Sequence, residues 1–89
     1  VLAAEAAVEQ ARAQIPAAQT KFDNAQSEFQ RSEKLFASGD LSRQDLERDN
    51  RELSDARANL VSVQKQADIA AAQLNSLRRQ IEVEKSRVN

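Results

Sequence analysis

The stretch Ala37-Ser38-Gly39-Asp40-Leu41-Ser42 lies between two long segments of helical pattern and contains the only glycine of the 89-residue sequence. Glycine adopts the left-handed backbone conformation that ends many helices, so Gly39 is the expected C′ residue of a first helix. Ser42 is suited to the N-cap of a second helix, and Asp45 would stand at its third position in a variant of the capping box. The chain is therefore expected to reverse direction at residues 38–41.

Small or apolar residues recur on both sides of this turn at alternating spacings of three and four. On a helix this spacing produces one continuous stripe, the heptad seam of a coiled coil. The first seam consists of Val1, Ala4, Val8, Ala11, Ile15, Ala18, Phe22, Ala25, Phe29, Ser32 and Phe36. The second consists of Leu46, Asp49, Leu53, Ala56, Leu60, Val63, Ala67, Ala70, Leu74, Leu77, Ile81, Glu84 and Val88, with Asp49 and Glu84 as interruptions. Two such seams predict two long helices packed against each other.

Reversal at Gly39 places residues whose numbers sum to about 81–82 opposite each other. Large and small residues then alternate in register, as close-packed helices require. The larger layers pair Phe36 with Leu46, Phe29 with Leu53, Phe22 with Leu60, Ile15 with Ala67, Val8 with Leu74 and Val1 with Ile81. The alternate layers pair Ala25 with Ala56, Ala18 with Val63, Ala11 with Ala70 and Ala4 with Leu77. We expect the Phe and Leu residues of the three large layers nearest the turn to be buried.

The whole chain, residues 1–89, is predicted to be one all-α domain, a long antiparallel two-helix coiled-coil hairpin. The first helix should cover about residues 1–37 and the second about 42–89. Pro16 has no N–H to donate, so a kink is expected there, either tolerated on the solvent side or used as a hinge. The uncapped open end, where one arm outruns the other, suggests a fragment of a larger protein.

The composition argues against catalysis and against nucleic-acid binding. The sequence has no His and no Cys, which removes the usual general bases, thiol nucleophiles and soft metal ligands. A two-helix rod offers no cleft, so no catalytic residue, metal or cofactor is expected. Thirteen Lys and Arg against 14 Asp and Glu, well interspersed, give no basic patch for nucleic acid. No apolar run approaches the roughly 20 residues of a membrane span.

Arg31 and Leu35 stand one helical turn apart beside the turn and outside the seam. An apolar residue at the end of a rod has little to cover it, so Leu35 is a candidate contact for a partner. The alternative is that Leu35 folds over Leu41 and only seals the turn. Ser42 has a sufficient structural role as the N-cap.

Residues 31–45 resemble the hairpin tip of periplasmic adaptor proteins, also called membrane fusion proteins, of bacterial tripartite efflux pumps and type I secretion systems. The tip motif of that family is an Arg, a Leu four residues later and a Ser seven residues after the Leu. A Gly and an aliphatic residue precede the Ser. The matching positions are Arg31, Leu35 and Ser42 in the motif and Gly39 and Leu41 in the turn.

In that family, hairpins assemble side by side into a funnel whose tip meets a TolC-like outer-membrane channel, while the body sits on an inner-membrane transporter. The resemblance implies the same partners here, a hexamer of the full-length protein, and a periplasmic location on a protein anchored to the inner membrane. It further implies that Arg31 donates hydrogen bonds to the channel, Leu35 supplies an apolar contact, and Ser42 both caps its helix and touches the partner. The resemblance covers the hairpin and none of the lipoyl, β-barrel and membrane-proximal domains.

Two other classes of function compete with this interpretation. In a purely structural coiled-coil spacer or oligomerisation arm, the tip motif would be coincidental, and alanine at Arg31 and Leu35 would leave function intact. A nucleic-acid-binding helical arm would need clustered Lys and Arg, whereas the only adjacent basic pair is Arg78 and Arg79. No partnership with nucleic acid is therefore expected.

Overall fold

The computed structural model describes residues 2–88, which form a helical rod of 75 × 14 × 14 Å. Its helices are α1 (Leu2–Ala13), α2 (Ile15–Ala37) and α3 (Arg43–Val88), and α3 packs along both of the others. Ser32 contacts Asp49 near the turn and Glu5 contacts Arg78 near the opposite end, so the two arms run antiparallel. The prediction of an all-α two-helix hairpin is confirmed.

The first arm is divided at Gln14, close to Pro16. Proline cannot donate the hydrogen bond that the carbonyl of Arg12 would otherwise accept. The N–H of Gln14 reaches back only three residues, to the carbonyl of Ala11 at 3.3 Å, and regular bonding resumes from Ala18 to Gln14 at 3.2 Å. Pro16 thus stands in the first turn of α2, where no N–H is needed. The expected kink takes the form of one helix ending and another beginning.

The interface between the arms consists of the predicted seams. Its central cluster contains Ala18, Leu60 and Val63, with Ile15 and Phe22 packed against it. This arrangement brings together residues whose numbers sum to 81–82, as the register predicts. All the buried apolar residues in the described range belong to the seams; they are Val8, Ala18, Leu53, Leu60, Val63, Ala67 and Leu74.

Burial is weaker at the two ends of the seam than the pattern predicts. Phe36 was expected to be buried but is 36% exposed, because it belongs to the last layer before the turn and has a neighbouring layer on one side only. Phe22, Phe29 and Leu46 are half-buried. At the other end, Leu77, which the predicted register pairs with the small Ala4, is 39% exposed. The layer that would contain Val1 lies outside the described residues.

Gly39 ends α2 in a Schellman motif. Its φ is 83°, the left-handed conformation that glycine adopts without strain. The N–H of Asp40 donates to the carbonyl of Leu35 at 2.8 Å, and the N–H of Gly39 donates to the carbonyl of Phe36 at 3.1 Å. Two of the carbonyls that a helix end leaves unpaired are thereby satisfied, and the chain is redirected within a few residues.

Ser42 caps the start of α3. Its Oγ accepts the N–H of Asp45 at 3.2 Å, and its carbonyl accepts the N–H of Leu46 at 3.1 Å. The carboxylate of Asp45 lies 3.4 Å from Nη1 of Arg48. The predicted N-cap is confirmed, with the serine half of the capping box formed and the Asp45 side chain directed to Arg48.

A polar layer interrupts the seam about one and a half turns before the end of α2. Ser32 is 5% exposed, and its Oγ donates to Oδ2 of Asp49, whose side chain is 14% exposed. Nε of Arg48 lies 3.6 Å from the other carboxylate oxygen of Asp49. The sequence pattern placed Ser32 among the small seam residues and Asp49 among the interruptions, and the structure joins them across the interface.

Replacing Leu53 with alanine is expected to lower the free energy of unfolding by about 2–4 kcal/mol, because it opens a cavity opposite Phe29 in a core with few large residues. Denaturation followed by circular dichroism measures the loss. Ile69→Ala is the control, since Ile69 lies outside the seam and is largely exposed. It should change stability by less than about 0.5 kcal/mol. Equal losses in the two variants would contradict the seam as the main source of stability.

Replacing Gly39 with alanine is expected to lower the free energy of unfolding by about 1–2 kcal/mol, because a side chain is strained in the left-handed conformation. No atom beyond the neighbouring residues lies within 4 Å of the position that a Cβ would take, so steric crowding adds nothing. Gly39→Asn should lose less, since asparagine tolerates this conformation better. Thermal melts of the two variants test the idea, and an unchanged melting temperature for Gly39→Ala would refute it.

Candidate functional site

The tip of the rod comprises the last two turns of α2, the reversal at residues 38–42 and the first turn of α3. Arg31 lies on the outside of α2, largely exposed, with Nη2 in contact with Oε1 of Glu28. An exposed ion pair of this kind contributes only about 0–1 kcal/mol. Because a guanidinium carries five N–H donors in a planar fork, the contact with Glu28 leaves donors for a second partner.

Leu35 lies one turn after Arg31 and is 38% exposed. Its carbonyl accepts hydrogen bonds from the N–H of Asp40 at 2.8 Å and from Oγ of Ser38 at 3.0 Å. Leu41, on the far side of the turn, is half-buried. Leu35 therefore has a fixed backbone and still presents apolar surface at the end of the rod. This geometry is compatible both with sealing the turn and with contacting a partner.

Ser42 lies across the turn from these residues and is exposed. Its hydroxyl oxygen is engaged by the N–H of Asp45, while the hydroxyl hydrogen can still be donated. In the described part of the chain, no hydrogen bond or ion pair joins Arg31, Leu35 and Ser42 to one another. The three residues share one end of the rod without forming a bonded network.

Two further residues belong to the tip. Phe36 is exposed beside Leu35, and Cζ of Arg43 lies 6.0 Å from the centroid of its ring. This is the outer limit of a cation–π contact. The heptad pattern assigned Phe36 to the core, and its place in the last layer before Gly39 is the signal that marks it as accessible. Leu35 and Phe36 together give the tip two neighbouring apolar side chains.

Open depressions occur elsewhere on the rod, and one of them lies between the two arms beside Gln14, where its lining includes Ala17, Lys21 and Asn59. A depression on α3 is lined by Arg79, Glu82, Val83, Ser86 and Arg87. All five residues come from one helix, so the depression is a gap between side chains on a convex surface and cannot enclose a substrate. Across residues 2–88, no group of acidic side chains is arranged to hold a metal ion. The tip remains the most distinctive surface.

Comparison with known proteins gives no information on the tip. No family model matches the chain, and neither a curated protein nor a solved structure matches it. None of the described helices combines the length and the apolar character needed to cross a membrane. The hairpin geometry and the residues at its end are therefore the features from which a function can be proposed.

Replacing Ser42 with alanine is expected to lower the free energy of unfolding by about 0.5–2 kcal/mol, because the N–H of Asp45 loses its acceptor. Ser42→Asp should recover most of that loss, since a carboxylate accepts the same bond. Ser54→Ala, at an exposed position inside α3, is the matched control and should not destabilise the helix. If thermal melts show no difference between Ser42→Ala and Ser54→Ala, the cap does not contribute to stability.

Proposed function

We propose that this chain is the hairpin of a periplasmic adaptor protein of a tripartite efflux pump or type I secretion system, docking by its tip to a TolC-like outer-membrane channel. The observation that carries the proposal is the placement of Arg31, Leu35 and Ser42. They have the spacing of the adaptor tip motif, and all three are exposed at the turn end of a rod 75 Å long. The same spacing would not indicate docking if the three residues were buried between the helices.

End-on docking suits the chemistry of this tip. Leu35 and Phe36 supply apolar area, and a leucine in a small contact can hold a large share of the binding energy. Arg31 is placed one turn below Leu35, where its planar fork can bind carbonyl oxygens at the end of a partner helix. The Schellman turn and the Ser42 cap keep these side chains on a rigid end, which lowers the ordering cost of binding.

Side-by-side assembly of hairpins into a funnel, a hexamer in the full-length protein, is part of the same proposal. Val61, Ile69 and Val83 are exposed, and their spacings of eight and fourteen residues put them on one side of α3. That side is opposite to the buried seam residues Leu60 and Leu74. These apolar side chains, interspersed on the same side with polar ones such as Lys65 and Arg79, are available for packing against a neighbouring rod.

The remaining parts of the proposal concern the rest of the adaptor. Domains beyond this hairpin would link it to an inner-membrane transporter and anchor the full-length protein to the inner membrane, with the hairpin in the periplasm. The rod form supports this, because a structure 75 Å long and 14 Å wide is suited to bridging distance between two bodies. In this scheme the turn end meets the channel and the open end joins the body.

The second candidate function is a structural coiled-coil spacer or oligomerisation arm. The exposed side chains of Val61, Ile69 and Val83 favour it, because lateral association needs nothing from the tip. The two candidates differ in one respect that can be measured. Docking requires Arg31 and Leu35, whereas a spacer tolerates alanine at both.

Arg31→Ala and Leu35→Ala in the full-length protein are expected to abolish or strongly reduce efflux or secretion while leaving the hairpin folded. Both residues lie outside the seam, so circular dichroism of the matching hairpins should show unchanged helicity. Arg31→Lys should restore transport only in part, because the charge is kept but the planar donor fork is lost.

Leu2→Ala is the control for Leu35→Ala, since Leu2 is an exposed leucine that lies outside the seam, at the opposite end of the rod. Arg51→Ala, at an exposed position on α3, is the control for Arg31→Ala. Both controls should transport normally. Normal transport by the two tip variants at normal expression would favour the spacer. Loss of transport together with loss of helicity would assign the tip residues to folding.

A further inference from the structure

We infer that Ser32 and Asp49 form a register lock: a buried polar pair that favours this antiparallel register of the seams over slipped and parallel pairings. The lock selects one register of the two helices, and an apolar layer in its place would be at least as stable. It is independent of docking and of any partner at the tip.

The geometry of the pair is specific. The Oγ of Ser32 donates to Oδ2 of Asp49 across the interface, and the numbers of the two residues sum to 81, the register of the whole hairpin. Arg48 approaches Oδ1 of the same carboxylate at 3.6 Å. In the described range, Ser32 is the only buried polar residue, and no buried side-chain polar atom lacks a partner. The polar layer is fully satisfied in this arrangement.

The apolar layers by themselves do not distinguish registers that differ by one heptad. A slip of one heptad would place Phe29 opposite Leu46 instead of Leu53, and Phe22 opposite Leu53 instead of Leu60, with equally good partners. The same slip would set Asp49 against Ala25 and leave a carboxylate in the interface without its donor. A buried charged group without its hydrogen bond is strongly unfavourable.

The turn restricts slips within one chain, but it does not restrict pairing between two chains. Two copies aligned in parallel would place α2 against α2 and α3 against α3, and their Phe and Leu layers would still pack. In that arrangement the two Asp49 carboxylates would meet in the seam, and like charges at close range repel. A single polar position in a heptad seam is known to set orientation and oligomeric state in this way.

The test replaces the lock with an apolar layer of the kind found elsewhere in the seam, Ser32→Ala together with Asp49→Leu. Two cysteine reporters are added to this chain, which has no cysteine of its own. Ala25→Cys with Ala56→Cys reports the native register, because these residues face each other within one hairpin. Ala25→Cys alone reports parallel pairing, because it can form a disulfide only with a second chain.

With the lock intact, we expect a monomer by light scattering and an intramolecular disulfide in the two-cysteine chain. Without the lock, the melting temperature should be unchanged or raised by about 5 °C, since an apolar replacement of a buried polar pair is commonly neutral or stabilising. Species larger than the monomer should appear, and the yield of disulfide between single-cysteine chains should rise several-fold.

Two controls make the result specific. Ser27→Ala with Asp55→Leu makes the same chemical changes at exposed positions outside the seam and should remain monomeric. Ser32→Asp with Asp49→Ser exchanges the two partners across the interface and should behave as the parent chain. The inference is overturned if the unlocked chain stays monomeric with only the native disulfide, if the surface control associates equally, or if the exchanged pair folds but associates.

Discussion

A two-helix rod has a single interface in which to bury apolar surface, and the rest of this structure depends on that restriction. In residues 2–88, no large side chain reaches an exposed fraction below 2%, so every layer keeps some contact with water. Each layer also consists of only two facing residues, so no neighbouring element compensates for a poor one. Folding therefore depends on the few layers of the seam and on the turn, and the outer surface of the rod is not needed for folding.

The features that the sequence predicted well are those that depend on local chemistry. The alternation of threes and fours places residues on one face of a helix whatever surrounds them, so the seam and its register could be inferred in advance. The roles of Gly39 and Ser42 could be predicted equally well. Glycine allows the left-handed conformation that ends a helix, and the serine oxygen accepts a backbone hydrogen bond at the start of one. The position of Arg31 and Leu35 near the turn followed from these two.

The features that the sequence did not predict depend on the surroundings of a residue. Periodicity assigned Phe36 to the interface, but its exposure is decided by the absence of another layer beyond it. Periodicity also marked Asp49 as an interruption of the seam. In the structure Ser32 lies opposite Asp49 on the other arm, and the two residues form a hydrogen-bonded pair. The ion pair of Arg31 with Glu28 depends on the conformations of the two side chains, which residue spacing does not determine.

The interruption at Gln14 has a mechanical consequence. One arm is a continuous helix of 46 residues, whereas the other consists of helices of 12 and 23 residues joined where a hydrogen bond is missing. Bending stiffness is then unequal in different directions, because α3 alone resists a deflection that opens the gap at Gln14. The rod should flex most readily at this interruption, far from the turn, so that the end carrying Leu35 moves as a rigid lever.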